Sequence, residues 1–497
     1  MTDSLVDEFL KSRNPANGQE LGQVAATSPA EVRSIVDRAA HAQVVWAALS
    51  WKARQNVLKR WWAILARDAD AWADAIRDEV GKPTIEGMAE VVSSLDAIRW
   101  TIRNAGKALA DQPIGRGWQR ALLIPPARLH WAPFGVIGII GTWNYPVLLN
   151  APAIAQSLAS GNAVVWKPSE LAIGVGRKLQ DSIEEAGLPE GLVTAVFGGP
   201  EVGQSLIHSA INKAIFTGGV ASGRAVLAEL GSRGIAAIAE LSGFDSAIIL
   251  PDAPLESTTA ALTWASFVGA GQTCVAVKRA YVVGNPLPWA EALAVRARKL
   301  RVGDPSTAVD VGPMISESAV ARFHATIERA IGAGAAVLTG GHPIAGPGSF
   351  YAPTVLLATT SEVEQVLAGC FGPVVVVRGV ETAEAAIEAA NASEFGLSAS
   401  VWGRDLRQAR SVALRLEVGT VAINEAVTTS AHAAAPFGGG KSSGFGRIRG
   451  VAGLRELAQP RVIHTRKPGG FRPHLFPYTP LMTKIFAGYR RIFHPRG

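Results

Sequence analysis

Two side chains in this sequence, a cysteine and a glutamate, are of the types that perform acyl chemistry. Cys274 follows a Gly-Gln-Thr turn in FVGAGQTCVAV and is one of two cysteines among 497 residues. A free cysteine is usually an inert buried hydrophobe. However, Glu240 in AELSG precedes it by 34 residues, and a cysteine nucleophile with a separately held carboxylate suits acyl transfer. Cys274 is therefore either a buried packing residue or a nucleophile, and its neighbours favour the nucleophile.

Three further loops contain residues that could contact a ligand. In GTWNYP, the side-chain amide of Asn144 could stabilise an oxyanion, or the residue could be an ordinary cap or turn asparagine. In KPSE, Lys167 and Glu170 could hold a ribose through its hydroxyl groups, or could form a solvated turn. In FTGGVASG, Gly218 and Gly223 surround a helix start, where backbone amides can approach a phosphate. This last signal is weak alone, because the glycines do not have GxGxxG spacing.

The elements that must position these loops form a doubly wound α/β pattern. Residues from about 28 to 110 are helical by pattern, with Ser28 and Pro29 as cap and first turn. After Pro133, helices alternate with the short apolar runs FGVIGIIGTW, NAVVWKPSE, LVTAVFGG, KAIFTGG and IAAIAEL. This alternation predicts a mostly parallel sheet, which binds ligands at its strand ends. A second α/β unit is predicted from about 245 to 420, with RAYVV, AAVLTG and PVVVV as strands.

Composition excludes several classes of protein. Apolar residues make up 48% and charged residues 18%, as in a folded globular chain. Two cysteines cannot form a disulfide framework, and the N-terminal segment lacks the apolar run of a signal peptide. No His, Cys or acidic cluster has the spacing of metal ligands. We therefore expect a cytoplasmic protein without a catalytic metal.

The net charge of +7 is concentrated at the C-terminus. Residues 460–497 contain eight of the 48 basic residues and none of the 41 acidic residues, so the first 459 residues hold 40 basic and 41 acidic side chains. A nearly neutral body predicts no nucleic-acid partner. The sequence TPLMTKIFAGYRRIF predicts an amphipathic helix over residues 479–493 that is too short to span a bilayer. It could lie on an anionic membrane surface or fold back over a substrate entrance.

Taken in order, the short motifs of the chain resemble the NAD(P)-dependent aldehyde dehydrogenases. The resemblance covers residues from about 28 to 449 and rests on TWNYP, KPSE, FTGG with Gly223, AELSG, GAGQTC, CFGPV and PFGGGKSSGFGR. The Gly-Gln-Thr-Cys context and PYTP in the tail look most like the class-3 and fatty aldehyde branch. The implied fold has a cofactor-binding domain (residues 1–115 and 133–244), a catalytic domain (245–423), an oligomerisation arm (116–132 and 424–459) and a basic tail (460–497).

The resemblance also implies roles for individual residues. Cys274 is the nucleophile, Glu240 is the general base, and Asn144 forms the oxyanion hole together with the backbone N–H of Cys274. The cofactor cleft is implied to consist of Thr142 and Trp143 in its wall, Lys167 and Glu170 at the adenosine ribose, Gly218 and Gly223 at the pyrophosphate, and Phe371 near the nicotinamide. Because Glu170 suits an unphosphorylated ribose, NAD is favoured and NADP is the alternative.

The sequence departs from the family pattern at two positions. Gly369 in LAGCFGPV replaces a glutamate that usually holds the nicotinamide ribose, which would weaken cofactor binding or slow hydride transfer. Phe244 in SGFDS replaces a charged residue.

The implied function is the oxidation of an apolar aldehyde, medium- or long-chain aliphatic or aromatic, to its carboxylic acid. Hydride would pass to NAD(P), and water activated by Glu240 would hydrolyse a thioester on Cys274. A CoA-acylating dehydrogenase and a non-catalytic cofactor-binding homologue are the alternatives. A homodimer is also expected, with the strands QRALLI and ARLHWA in its arm.

Overall fold

Long helices dominate the first part of the chain. The structure, a computed structural model, describes residues 9–115, 124–469, 472 and 474–494. The Ser28 hydroxyl accepts the N–H of Glu31 while the Glu31 carboxylate accepts the N–H of Ser28, and this reciprocal cap starts the first helix. The helical pattern predicted for residues 28–110 is confirmed. The elements are β1 (Phe9–Arg13), β2 (Glu20–Ala25), α1 (Pro29–Ala48), α2 (Trp51–Arg67), α3 (Ala69–Val80) and α4 (Thr84–Ala108).

Strands and helices then alternate and build the first large sheet. In chain order the elements are β3 (Gln112–Ile114), β4 (Ala127–Pro133), β5 (Val136–Ile140), α5 (Ala151–Ala159), β6 (Ala163–Lys167), α6 (Ile173–Glu185), β7 (Val193–Ala195), α7 (Pro200–His208), β8 (Lys213–Thr217), α8 (Val220–Ser232) and β9 (Ala236–Glu240). Five strands pair in parallel in the order β9-β8-β5-β6-β7. Since parallel strands end at one edge, the loops with Asn144, Lys167, Gly218 and Glu240 lie along that edge.

A second, seven-stranded sheet follows. Its elements are β10 (Asp245–Ile249), α9 (Leu255–Phe267), β11 (Val277–Val283), α10 (Leu287–Arg298), α11 (Glu317–Gly332), β12 (Ala336–Thr339), β13 (Thr354–Ala358), α12 (Glu362–Leu367), β14 (Val374–Val380), α13 (Ala383–Asn391), β15 (Phe395–Gly396), β16 (Ser398–Trp402), α14 (Leu406–Ala413) and β17 (Thr420–Ile423). The strand order in the sheet is β12-β13-β14-β11-β10-β16-β17, and only β12 pairs antiparallel to its neighbour. One continuous cluster of buried apolar side chains joins this sheet to the first. The predicted doubly wound, mostly parallel α/β fold is confirmed.

The C-terminal elements include strands that pair with earlier parts of the chain. They are β18 (Gly440–Lys441), β19 (Gly444–Phe445), α15 (Gly450–Glu456), β20 (Ala458–His464) and α16 (Pro480–Phe493). Strand β19, within the predicted arm, pairs antiparallel with β9 and covers the open edge of the first sheet. Strand β20 pairs with β4 along its whole length, with β3 on the other side of β4. Residues 460–464, the start of the predicted tail, are therefore part of this three-stranded sheet.

The domain boundaries given in the sequence analysis stay predictions. Of the predicted arm strands, ARLHWA is present as β4, while QRALLI falls outside the described residues except for Ile124. The predicted tail helix is present as α16, with Met482 as its one buried residue. Among the helices that the structure describes, none is long and apolar enough to cross a membrane.

Candidate active site

Cys274 lies in a tight loop between α9 and β11. The loop begins with the 3-10 turn Val268–Gly271, in which Ala270 and Gly271 have positive φ angles of 53° and 66°. A side chain at Gly271 is excluded because a Cβ there would lie 2.2 Å from the carbonyl oxygen of Gly372. The cysteine loop is therefore packed directly against the segment that contains Gly372.

Two cavities meet at Cys274. We call the first the front cavity; its volume is about 300 Å³ and its walls are mainly apolar, including Leu148, Leu149, Trp264, Val268, Val427 and Phe437. The second, the rear cavity, has a similar volume of about 300 Å³ and is lined by Thr142, Trp143, Asn144, Glu240, Gly369 and Phe371, among others. The Cys274 thiol thus faces an apolar chamber on one side and most of the predicted functional residues on the other.

The Asn144 side chain is held by two hydrogen bonds. The Thr142 hydroxyl donates to its Oδ1 at 2.7 Å, and its Nδ2 donates to the carbonyl oxygen of Gln272 at 2.9 Å. These bonds turn the amide nitrogen toward the cysteine loop. The nitrogen carries a second hydrogen, which is available to a carbonyl oxygen bound beside Cys274. Helix α5 begins only at Ala151, so Asn144 is not a helix cap.

The Glu240 carboxyl ends β9 and is buried, with 4% of the residue exposed. Neither of its oxygens has a hydrogen-bond partner among the described residues. Burial raises the pKa of Glu240 well above its ordinary value, and the charges of Arg447 and Arg449 offset part of that rise. Buried polar atoms normally have a partner, often an ordered water. The unpartnered carboxyl therefore suits a group that positions water in the rear cavity, next to Cys274.

The Cys274 thiol is hard to ionise in the free protein. Burial raises its pKa to about 12, and the negative charges of Asp245 and Glu240 act in the same direction. The backbone N–H of Val275 and the charge of Arg449 act in the opposite direction. Because the thiolate is the nucleophilic form, attack by Cys274 requires a base or a change in its surroundings when ligands bind.

Lys167 and Glu170 lie at the far end of the same cleft. There, a third cavity of about 460 Å³, the outer cavity, shares Thr142, Trp143 and Gly218 with the rear cavity. Lys167 Nζ donates to the Glu170 carboxylate at 3.0 Å and to the carbonyl oxygen of Pro168 at 3.2 Å. Lys167 is buried and Glu170 is exposed, and both residues line this outer cavity.

The two predicted phosphate-site glycines have different environments. Gly218 lines both the rear and outer cavities, and Gly219 precedes α8 without a side-chain cap, which leaves first-turn N–H groups without a side-chain partner beside the cavity. Gly223 instead lies inside α8 against Leu241, where a Cβ would approach Leu241 Cδ2 to 2.4 Å. The lack of a side chain at Gly223 thus lets α8 pack closely on the sheet, and the contact of Gly223 with a pyrophosphate stays a prediction.

Phe371 and the two departures from the family pattern can also be located. Phe371 meets Trp143 edge-on, with ring centroids 5.8 Å apart, in the rear cavity. Gly369 lines the same cavity with a φ of 73°, and a Cβ there would lie 3.2 Å from the Phe395 ring. Phe244 is buried, and the guanidinium carbon of Arg279 lies 4.7 Å from the centroid of the Phe244 ring. Gly369 thus belongs to the cleft, whereas Phe244 packs behind it.

Arg449 is a cavity residue that no motif of the sequence indicates. This residue lines the front cavity, is 4% exposed and has a positive φ of 62°. The motif PFGGGKSSGFGR ends two residues before it, and the turn that directs the guanidinium inward leaves no signature in the sequence.

Comparison with known proteins identifies the family of this arrangement. The model of the aldehyde dehydrogenase family matches residues 2–463. The chain belongs to the aldehyde dehydrogenase family. Its members are oxidoreductases that act on aldehydes, so the predicted class of enzyme is confirmed.

Several family members are similar over nearly the whole chain. A 4,4'-diapolycopene aldehyde oxidase of Methylomonas sp is 33% identical over 96% of this chain and 89% of the relative. A benzaldehyde dehydrogenase [NAD(+)] of Pseudomonas putida is 34% identical over 92% and 93%. Among solved structures, a Mycobacterium tuberculosis aldehyde dehydrogenase complexed with NAD+ has a TM-score of 0.88 and 28% identity, covering 95% of this chain and 97% of that one.

These relatives support the aldehyde dehydrogenase family but not the class-3 and fatty aldehyde branch predicted from the cysteine context and the tail. The short motifs around an active-site cysteine report the shared chemistry, which many branches of one family have in common. The structure itself fits a dinucleotide. Its cleft runs from Lys167 and Glu170, past the amide-rich start of α8, to Cys274, and the unpartnered Glu240 lies at the inner end.

Proposed function

We propose that this aldehyde dehydrogenase oxidises apolar aldehydes to carboxylic acids with NAD as the hydride acceptor. The observation that carries the proposal is the meeting of the front and rear cavities at Cys274, so that one sulfur atom faces an apolar chamber and a dinucleotide-sized cleft. An aldehyde in the front cavity and a nicotinamide in the rear cavity would both contact that sulfur. When bound, NAD supplies the acceptor for the hydride.

The chain's own residues account for the acylation half of the reaction. The Cys274 thiolate adds to the aldehyde carbon, and the carbonyl oxygen becomes an oxyanion. The free hydrogen of Asn144 Nδ2 and the backbone N–H of Cys274 would hold this oxyanion, as preorganised donors do where charge develops. Loss of hydride from the same carbon then leaves a thioester on Cys274.

Glu240 serves the hydrolytic half. Its unpartnered oxygens would accept a hydrogen bond from a water molecule and take its proton as that water attacks the thioester carbonyl. The raised pKa suits this role, because a base that accepts a proton near neutral pH must hold protons more tightly than an ordinary glutamate. The carboxylic acid is released and the Cys274 thiol is restored.

For the cofactor, NAD is favoured over NADP. The Glu170 carboxylate stands beside Lys167 at the outer end of the cleft, where it would accept hydrogen bonds from ribose hydroxyls and repel a 2′-phosphate. The benzaldehyde dehydrogenase relative carries NAD(+) in its name, and the Mycobacterium tuberculosis structure is a complex with NAD+.

For the substrate, the front cavity favours an aromatic or aliphatic aldehyde. Leu148, Trp264, Val268 and Phe437 offer apolar surface on several sides of it. Relatives named for benzaldehyde and for 4,4'-diapolycopene aldehyde, an aromatic and a long apolar aldehyde, support the same class.

The test is formation of NADH or NADPH with benzaldehyde and with aliphatic aldehydes of increasing chain length. We expect turnover with NAD that increases with chain length and is absent in Cys274→Ala, because no other nucleophile lines both cavities among the described residues. Saturable NAD binding without turnover of any aldehyde would favour a non-catalytic homologue. A requirement for CoA would favour an acylating dehydrogenase.

We also propose a homodimer and peripheral membrane contact. The three-stranded sheet ends at β20, where Val462 and Ile463 are half-exposed apolar residues suited to a subunit interface. Helix α16 presents further apolar side chains together with basic ones. The molar mass in solution tests the dimer, and a monomer at all concentrations would contradict it.

A further inference from the structure

The apolar front cavity contains one buried positive charge. Of the described residues that line it, Arg449 is the only basic one. Its Nη1 donates to the carbonyl oxygen of Ser430, and its guanidinium lies 5.4 Å from the centroid of the Phe437 ring. Its Nε is buried and has no hydrogen-bond partner within the described part of the chain. The guanidinium is therefore fixed in direction and has an unused donor.

No acidic side chain of the described chain forms a salt bridge with this cation; Glu240 acts on it only through its charge, from the rear cavity. No ion pair joins Arg449 to an acidic side chain within 4.0 Å among the residues described, although twenty such pairs occur elsewhere. Glu240 could pair with Arg449 by its charge, but it lines the rear cavity. Neither of its oxygens has a hydrogen-bond partner among the described residues. An unpaired buried charge destabilises a protein by several kcal/mol unless something compensates it, so an anion bound in the front cavity is the natural counterpart.

The two acids of the front cavity do not oppose an anion there. Glu90 is already used: it accepts the N–H groups of Val147 and Leu148 and pairs with Lys82 at 2.6 Å. Glu86 accepts the N–H of Gly269, and burial raises its pKa to about 7, so a large fraction of this carboxyl is uncharged at neutral pH. The cavity consequently presents one unused cation and no unpaired full negative charge.

We propose that Arg449 forms an anion-binding subsite in the front cavity, and that the enzyme prefers apolar aldehydes that also carry a carboxylate. The guanidinium would bind a carboxylate oxygen through the terminal nitrogen that is not bonded to Ser430, while Leu148, Trp264 and Val268 contact the apolar body. The proposal rests on the proposed function, since the substrate class is that of the same cavity, and it narrows that class from apolar aldehydes to apolar aldehyde-acids.

The test compares benzaldehyde with its 2-, 3- and 4-carboxy derivatives. In the unmodified enzyme, at least one carboxybenzaldehyde should have a higher kcat/KM than benzaldehyde. In Arg449→Leu this preference should fall by about 10- to 100-fold, the size expected for a lost charge-assisted hydrogen bond. Arg449→Lys, which keeps the charge but not the planar fork, should lie between the two.

Two controls separate the subsite from other causes. Arg322→Leu removes an exposed arginine from α11 and should leave the preference unchanged, which excludes attraction by the overall positive charge. The thermal shift caused by isophthalate or terephthalate tests the subsite without catalysis, and it should be present in Cys274→Ala but lost in Arg449→Leu.

If the preference for a carboxybenzaldehyde over benzaldehyde were equal in the unmodified enzyme, Arg449→Lys and Arg449→Leu, the proposal would be overturned. A thermal shift with isophthalate or terephthalate that persists in Arg449→Leu would overturn it as well. A failure of every aldehyde to react would overturn the proposed function instead, and the dicarboxylate shift would still decide whether Arg449 binds an anion.

Discussion

Both oxygens of the Glu240 carboxyl are buried without a partner among the residues that the structure describes, an arrangement that should destabilise the folded chain. Such groups cost free energy in the folded state, and proteins retain them where they serve a function. The cost also depends on pH in a defined direction. The pKa of Glu240 is raised from 4.5 in the folded chain, so the unfolded chain loses this proton first as the pH rises. Stability contributed by the protonated carboxyl is complete below about pH 4.5 and is lost progressively above it.

We therefore expect Glu240→Gln to stabilise the protein more at pH 8 than at pH 5, by about 1–3 kcal/mol at the higher value. Thermal unfolding at the two pH values measures this difference. The same variant should still release one equivalent of NADH per Cys274 in a burst, followed by very slow turnover, because Glu240 is proposed as the base of hydrolysis, whereas ionisation of Cys274 is expected to follow the change in its surroundings when ligands bind. Equal stabilisation at both pH values would contradict the buried, unpartnered carboxyl, and unchanged steady turnover would contradict its role as base.

At this scale, the sequence allowed prediction of some residues of the candidate site but not of others. Cys274 and Glu240 stand in short motifs whose order identified the family, and the structure brings both to one cavity. Arg449 could not be predicted, because its direction depends on a positive φ and on contacts with Ser430 and Phe437, which come from other parts of the chain. Gly369 was recognised as a missing glutamate, but the sequence did not reveal its φ of 73°, a conformation that favours glycine.

At the scale of elements, one buried lysine connects the two loops that must cooperate. Lys278 Nζ donates to the carbonyl oxygens of Gly271, at 2.7 Å, and Gly372, at 2.5 Å. The first carbonyl belongs to the loop that presents Cys274, and the second follows Phe371 in the rear cavity. Lys278 therefore links the cysteine loop to the segment that follows Phe371, in addition to the direct packing of Gly271 against Gly372.

We expect Lys278→Met to lower kcat by at least about tenfold and to raise the KM for NAD, because small displacements of reacting groups cost large factors in rate. A deuterated aldehyde should show a larger primary isotope effect in this variant, as hydride transfer becomes slower than the other steps. Lys52→Met, on the exposed face of α2, is the matched control. If Lys278→Met lowered only the melting temperature and left both kinetic constants unchanged, the lysine would be structural and not a positioning residue.

Elements formed by local periodicity were predictable, whereas pairings between distant segments were not. The strands of both sheets follow from apolar runs alternating with helices, and this alternation also gives the parallel topology. In contrast, the pairing of β19 with β9 joins residues 444–445 to Glu240, and β20 pairs with β4 from more than three hundred positions away. Such partners are selected by packing in the folded chain and leave no local pattern in the sequence. The close contact of Gly223 with Leu241, which follows β9, is likewise a product of the folded chain.

At the scale of the whole molecule, charge and apolar exposure coincide in one place, the C-terminal tail. The eight basic residues after position 459 have no acidic neighbour in sequence, while the rest of the chain is nearly neutral. In α16, Leu481, Phe486 and Ile492 are 45%, 55% and 71% exposed. An amphipathic basic helix of this kind binds at the surface of an anionic bilayer, with its apolar face in the interface.

We expect the full chain to co-sediment with phosphatidylserine-containing vesicles, more weakly with pure phosphatidylcholine vesicles, and less at high salt. Each basic residue near the surface contributes about 1 kcal/mol, so reversing Lys484, Arg490 and Arg491 to glutamate should weaken binding by about 100-fold or more. Deletion of residues 479–497 should abolish it while aldehyde turnover continues, because the two cavities at Cys274 contain no tail residue. Equal sedimentation of the full and shortened chains would contradict membrane contact. If the deletion instead changed the KM for aldehydes, the helix would act at the substrate entrance of its own or a partner subunit.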